Sequence, residues 1–141
     1  MPNPEFPRTR RLLLVDDDMR SARVLAKLLR EDGFVVDVAP NGAAAIGKLS
    51  RPQLPDVLLL GLRLLHSDSV AVIRFARSRK PLLPVFVMIG HVSPLRESMG
   101  PMEPPLAIFT KPIDYAALQE ALLAATPMDV LEGEGPRMSA A

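Results

Sequence analysis

The chain contains no cysteine, and this absence excludes two kinds of structure. Its 141 residues can form neither a disulfide framework nor a thiolate-bound metal site. The lack of cysteine agrees with a reducing compartment, and we expect a cytoplasmic protein. We predict no signal peptide, because the segment 1–11 is polar and carries prolines. No apolar run approaches the roughly 20 residues that span a bilayer.

An excess of charge of one sign is also lacking. Seventeen basic residues face sixteen acidic ones, which leaves a net charge of +1 at pH 7. This balance gives no strong attraction to nucleic acid or to an anionic membrane. The sequence shows no glycine-rich phosphate loop and no helix-turn-helix segment. We therefore expect a protein partner, recognised through local contacts, and neither nucleic acid nor membrane.

Short apolar runs alternate with amphipathic segments along the chain, of which 48% of the residues are hydrophobic. The runs predict five strands at 12–15, 34–39, 57–60, 85–89 and 106–110. The segments between and after them predict helices at 20–30, 43–49, 70–78 and 114–125. In the first of these helices the spacing favours an inner face of Ala22, Leu25, Leu28 and Leu29, and Gly33 is the expected C-terminal stop. Asp114 is the expected N-cap of the last helix.

This alternation predicts a doubly wound α/β domain, with a parallel sheet and helices on both faces. We place the domain at 10–126, between a flexible arm at 1–9 and a tail at 127–141 that we expect to be disordered. The connection after the fourth strand carries several prolines. Proline costs about 3 kcal/mol inside a helix, so we predict an irregular fourth helix of at most two turns near 95–99.

Charged residues follow two of the predicted strands. Asp16, Asp17 and Asp18 end the first strand and Lys111 ends the fifth. Ligands of doubly wound sheets bind at the carboxyl ends of the strands. Three adjacent carboxylates call for a divalent metal, a lysine partner or a raised pKa. The plainer interpretation is a solvated turn in which Asp18 or Ser21 caps the following helix.

The run 13–18, the run 55–60 and the segment Phe109-Thr110-Lys111-Pro112 together resemble the response-regulator receiver of two-component signalling, over residues 11–125. The resemblance implies a flavodoxin-like fold with strand order 2-1-3-4-5. It implies that Asp16 and Asp17 match the pair that holds Mg²⁺, that Lys111 matches the lysine that contacts the phosphate, and that the bond before Pro112 is cis. Receivers accept phosphate from a histidine kinase on an aspartate that ends the third strand.

Three positions depart from the family pattern. Gly61 stands where the resemblance places the phosphoacceptor, Ile89 where it places a hydroxyl, and Ile108 where it places the switching aromatic. We therefore expect a vestigial phosphorylation site with weak Mg²⁺ binding or none. Lys111, without its usual partner, should turn to Asp16 or Asp17. The two isoleucines should pack apolar surface and hold one conformation.

Our leading hypothesis is a stand-alone pseudo-receiver that is not an enzyme, needs no cofactor and signals through protein contacts. The expected partner is a kinase or another regulator, and a homodimer is possible. The family's interaction face corresponds here to Leu95, Met99, Met102 and Ile108, with the last helix. Methionine side chains suit adaptable binding surfaces.

Two other functions stay open. The first is phosphotransfer with an unusual acceptor, Asp17, Asp18 or Asp68, because a carboxylate near a metal and a lysine can act as a nucleophile. The second is a sensor of a small anion or nucleotide, which would bind in the space vacated at Gly61 beside Lys111.

Overall fold

The computed structural model describes residues 9–61, 66–89 and 107–126, with residues 66–68 described by their backbone alone. Strands and helices alternate along most of this part of the chain. In order they are β1 (Arg10–Val15), α1 (Met19–Glu31), β2 (Phe34–Ala39), α2 (Gly42–Leu49), β3 (Val57–Gly61), α3 (His66–Arg79), β4 (Val85–Ile89), β5 (Ala107–Thr110) and α4 (Tyr115–Ala125).

The five strands form one parallel sheet in the order β2-β1-β3-β4-β5. The predicted flavodoxin-like fold and strand order are confirmed. The chain first winds outward from β1 to β2 and then returns to the other side of β1 with β3, where Leu14 pairs with Leu59. This reversal creates a crevice at the carboxyl ends of β1 and β3, the place where such sheets bind ligands.

Two apolar cores lie on opposite faces of the sheet. Successive side chains of a strand point to opposite faces, so Leu58 and Leu60 pack under α2 and α3, whereas Leu59 packs under α1 and α4. All three are fully buried. The central strands are therefore apolar without interruption, as expected for strands covered on both sides.

Two predictions about the helices are corrected by the structure. Helix α3 begins at His66, four residues earlier than predicted, so Asp68 lies in its first turn instead of a loop. The first residues of this helix are polar, so the sequence showed no apolar periodicity there. One of them, Ser69, is nevertheless buried. In α1, Leu28 is 37% exposed. Ala22, Ala26 and Leu29 occupy the inner face, because positions four and seven apart share one side of a helix.

Several predicted features lie outside the described residues. They are the irregular helix at 95–99, the segment 1–8 of the predicted arm and the predicted tail at 127–141. Thr9, the last residue of the predicted arm, is exposed. Within the described ranges, no helix is long and apolar enough to cross a membrane.

Candidate functional site

Backbone pairing brings three sequence-predicted residues to the same edge of the sheet. Asp16 extends the pairing of β1 by one residue, since its N–H donates to the carbonyl of Ala39 at 3.1 Å. The N–H of Lys111 donates to the carbonyl of Ile89 at 2.7 Å, which carries β5 one residue further. Gly61 is the last residue of β3, the strand beside β1. The site thus lies at the carboxyl ends of three strands.

The carboxylate of Asp16 is held inside this edge. Its side chain is 2% exposed, and its Oδ2 lies 3.7 Å from Nζ of Lys111. Its Oδ1 accepts a hydrogen bond from the N–H of Asp18 at 3.0 Å. A buried carboxylate needs a cation or donors around it. The expected turn of Lys111 toward Asp16 is therefore present.

Gly61 lies directly against that carboxylate. A Cβ atom built on Gly61 would lie 2.5 Å from both Cγ and Oδ2 of Asp16 and 2.9 Å from its Oδ1. Non-bonded carbon atoms prefer separations of about 3.5 to 4.0 Å. The space that we expected to be vacant at Gly61 is occupied by Asp16, and the prediction of a ligand pocket there is wrong.

The two following carboxylates have different surroundings. Asp17 is exposed. Asp18 is the N-cap of α1, because its Oδ1 accepts from the N–H of Ser21 at 3.3 Å and its Oδ2 from the Ser21 hydroxyl at 2.9 Å. This capping interpretation of Asp18 is confirmed.

The side chains at this edge of the sheet offer few ligands for a divalent metal. Where the chain is described, no three His, Asp or Glu side chains gather in a way that could hold an ion. Asp16 is already engaged by Asp18 and Lys111. The described residues do not fit a magnesium centre built on three carboxylates, and the expected weak binding at Asp16 and Asp17 stays a prediction.

Comparison with known proteins shows the family to which this fold belongs. A family model described as the response regulator receiver domain matches residues 12–123. The chain belongs to this family. Among curated relatives, the transcriptional regulatory protein ZraR of Escherichia coli K12 is 30% identical over 111 residues, which cover 79% of this chain and 25% of ZraR. The DNA-binding transcriptional regulator NtrC of the same strain is 35% identical over 78 residues, 55% of this chain and 16% of NtrC.

This receiver domain thus spans about a quarter of the length of ZraR.

Among solved structures, a response regulator receiver protein of Sinorhizobium medicae has a TM-score of 0.73 at 27% identity, covering 84% of this chain and 95% of that one. The receiver domain of the sensor histidine kinase PA1611 of Pseudomonas aeruginosa, solved with magnesium in its active site cleft, has a TM-score of 0.73 at 24% identity, covering 84% and 98%. That likeness is one of fold.

The two isoleucines of this receiver domain differ in burial. Ile89 is half-buried and packs against the core under α2 and α3. Ile108 is 37% exposed, so the expectation that it packs is wrong. The residues of β5 that face the core are Ala107 and Phe109, on either side of Ile108. The ring of Phe109 stacks on the ring of Phe86, with centroids 6.1 Å apart. The other residues of the predicted interaction face, Leu95, Met99 and Met102, lie outside the described ranges.

The segment after β5 leads from the site into α4. The bond between Lys111 and Pro112 is cis, as the resemblance implied. Asp114 caps α4 by accepting from the N–H of Ala117 at 3.3 Å, which confirms the predicted N-cap.

A groove of about 480 Å³ lies between this segment and α1. Two of its lining residues, Asp16 and Lys111, were expected at this edge of the sheet from the sequence. Its apolar walls were not predicted, because their residues come from distant parts of the chain.

Proposed function

We propose that this receiver domain signals through protein contacts, without phosphorylation of an aspartate at the end of β3. The observation that carries the proposal is the arrangement at Gly61. This residue has no side chain to phosphorylate, and the Asp16 carboxyl fills the space that a side chain would need. The domain therefore acts as a pseudo-receiver, a receiver fold used as a binding module.

The surroundings of Asp16 support the same conclusion. A transferred phosphoryl group needs a cation to balance its charge. The ammonium of Lys111 already lies beside the Asp16 carboxylate, and the N–H of Asp18 is bonded to it as well. An incoming phosphoryl group would have to draw Lys111 away from the buried carboxylate of Asp16, and Gly61 offers no side chain to carry the group.

The expected partner is a protein of a two-component pathway, either a kinase or another regulator. The relatives ZraR and NtrC are named transcriptional regulators, and the matched segment is a minor part of each. A partner would recognise the surface of the receiver fold, which two apolar cores hold together.

Intact-mass measurement tests the proposal. The native chain is incubated with acetyl phosphate and Mg²⁺, and its mass is followed over time. We expect no gain of one phosphoryl group. A stoichiometric gain in the native chain would overturn the proposal, and peptide mapping would then show whether Asp17, Asp18 or Asp68 is the acceptor.

Two glycine variants make the measurement specific. Gly61→Asp restores a carboxylate at the end of β3, whereas Gly47→Asp makes the same change on an exposed face of α2. Labelling of Gly61→Asp alone would show that the acceptor is the missing part. If Gly61→Asp also stays unlabelled, the loss of the acceptor is not the only defect, and the position of Asp16 blocks phosphorylation as well. Labelling of Gly47→Asp would show that the donor modifies any exposed carboxylate.

A further inference from the structure

The groove between α1 and the segment after β5 offers space that the site at Gly61 does not. Its floor is formed by Asp16, Met88 and Lys111, and Gly61 is absent from its described lining. It has a volume of about 480 Å³, within the range of roughly 300 to 1,000 Å³ that is usual for small-molecule sites.

The walls of the groove are mainly apolar. On the α1 side, Val24 is 60% exposed and Leu28 is 37% exposed. On the other side lie Ile113 and the ring of Tyr115, both half-buried. Aliphatic and aromatic side chains on opposite walls can cover a flat apolar body from both sides.

The accessible charges of the groove are positive. Arg20 is exposed, and the side chain of Lys111 is 27% exposed. Asp16 is the one acid among the described lining residues. It is 2% exposed, accepts a hydrogen bond from the N–H of Asp18 and lies 3.7 Å from Nζ of Lys111. A ligand that enters between the walls meets Arg20 and the exposed part of Lys111, which is shared with Asp16. The surplus of accessible positive charge favours an anion.

The polar hydroxyls of the lining already have partners. The Ser21 hydroxyl donates to Asp18 at 2.9 Å, and the Tyr115 hydroxyl donates to Asp32 at 2.6 Å. Neither needs a ligand to satisfy its hydrogen bond. The polar part of a ligand is thus directed to Arg20 and Lys111.

A larger hollow of about 650 Å³ beside β2 differs in its acidic residue. It carries the cations Arg11, Lys48 and Arg51, but its carboxylate, Asp37, is 51% exposed and lies 2.9 Å from Lys48 and 3.5 Å from Arg51. An anion that enters this hollow meets an accessible carboxylate, whereas the carboxylate of Asp16 in the groove beside α1 is enclosed.

We propose that the groove between α1 and the segment after β5 binds a small amphipathic anion, with a flat apolar body and one negatively charged group. The body lies between Val24 and Ile113, and the charged group faces Arg20 and Lys111. This inference is independent of the proposed function, because the groove is open whether or not any aspartate accepts phosphate.

Fluorescence titration with two probes tests the inference. Anilinonaphthalene sulfonate has a flat aromatic body and one anionic group, and N-phenyl-1-naphthylamine has the same rings without the charge. We expect saturable binding of one sulfonate probe per chain, and about tenfold weaker binding of the neutral probe. Equal binding of both probes, or no saturable binding of the sulfonate, would overturn the inference.

Matched variants locate the bound probe. Val24→Glu places a negative charge on the wall, and we expect it to weaken sulfonate binding at least tenfold. Val35→Glu makes the same change at a valine of β2 that is 40% exposed and lines the other hollow, and it should leave the affinity unchanged. The reverse result would place the probe beside β2 and contradict the proposal.

The charge contribution is tested in the same way. Arg20→Gln should weaken binding of the sulfonate probe several-fold and leave the neutral probe unaffected. Arg23→Gln, on an exposed position of the same helix outside the groove, should change neither. Far-UV circular dichroism and thermal midpoints of all variants show that the probe reports on folded protein, because the sulfonate also binds partly unfolded chains.

Discussion

The position of the Asp16 carboxylate depends on the absence of a side chain at Gly61. Asp16 can lie over the end of β3 because Gly61 has no Cβ atom. In that position the Asp16 carboxylate receives Lys111 and the N–H of Asp18 as partners. The glycine is therefore a structural requirement for the present arrangement as well as the loss of an acceptor.

Gly61→Ala tests this dependence. We expect it to lower the free energy of unfolding by about 1 to 3 kcal/mol, because the new Cβ forces a buried carboxyl away from its partners. Gly47→Ala is the matched control, since a Cβ there meets nothing within 4 Å. It should stabilise the protein by about 0.5 to 1 kcal/mol through its helix propensity. Urea denaturation measures both, and equal effects would contradict the crowding at Gly61.

At the scale of elements, helices α1 and α4 are joined through Asp32, the C-cap of α1. Its Oδ2 accepts from the Tyr115 hydroxyl at 2.6 Å and from Nε2 of Gln119 at 2.9 Å. Burial raises the pKa of the Tyr115 phenol above its usual value, and the hydrogen bond to Asp32 and the nearby negative charges of Asp32 and Glu31 raise it further.

The titration of Tyr115 can be followed alone, since the chain has one tyrosine and no tryptophan. Tyrosinate absorbance should appear at a higher pH than in a free tyrosine, for which the pKa is about 10. Asp32→Asn should lower the pKa of Tyr115, whereas Asp37→Asn on β2 should not. A phenol that titrates normally in the native chain would argue against this link between the helices.

The same shift gives a stability effect of known sign. The folded state favours the neutral phenol, so its pKa is higher in the folded than in the unfolded chain. The stabilisation is fully present below about pH 10 and is lost as the pH rises toward the folded-state pKa. Thermal midpoints at pH 8 to 11 should therefore fall less steeply in Tyr115→Phe than in the native chain.

The molecule as a whole is stabilised by two cores that the sheet separates. Leu49 is fully buried on the face of α2 and α3, and Leu118 is fully buried on the face of α1 and α4. The central strands contribute residues to both faces, so neither core can be lost while the other remains intact. We expect one cooperative unfolding transition for the domain.

Alanine substitutions in the two cores test this expectation. Leu49→Ala and Leu118→Ala should each lower the free energy of unfolding by about 2 to 5 kcal/mol. Their effects should add in the double variant, because the sites do not share contacts across the sheet. Leu82→Ala, at a residue that is 91% exposed, should change stability by less than about 0.5 kcal/mol. Two separate transitions in urea would show that the faces unfold independently.

Local pattern was enough to predict several parts of this protein. Uninterrupted apolar runs such as 57–60 indicate strands covered on both faces, and their alternation with helices allows few topologies. Asp18 and Asp114 cap helices through contacts within four residues, and Gly33 ends α1 with a φ of +98°. Each of these features depends on neighbours in the chain.

The amino-acid sequence by itself determined the alternation of strands and helices, the helix caps and the presence of glycine at the end of β3. Tertiary structure alone decided that Asp16 fills the space over Gly61, that Leu28 is exposed, and that α1 and the segment after β5 enclose a groove. The physical reason is that local features follow from backbone geometry and hydrophobic periodicity. The filling of a space depends on side chains that are far apart in the chain and meet when the sheet forms.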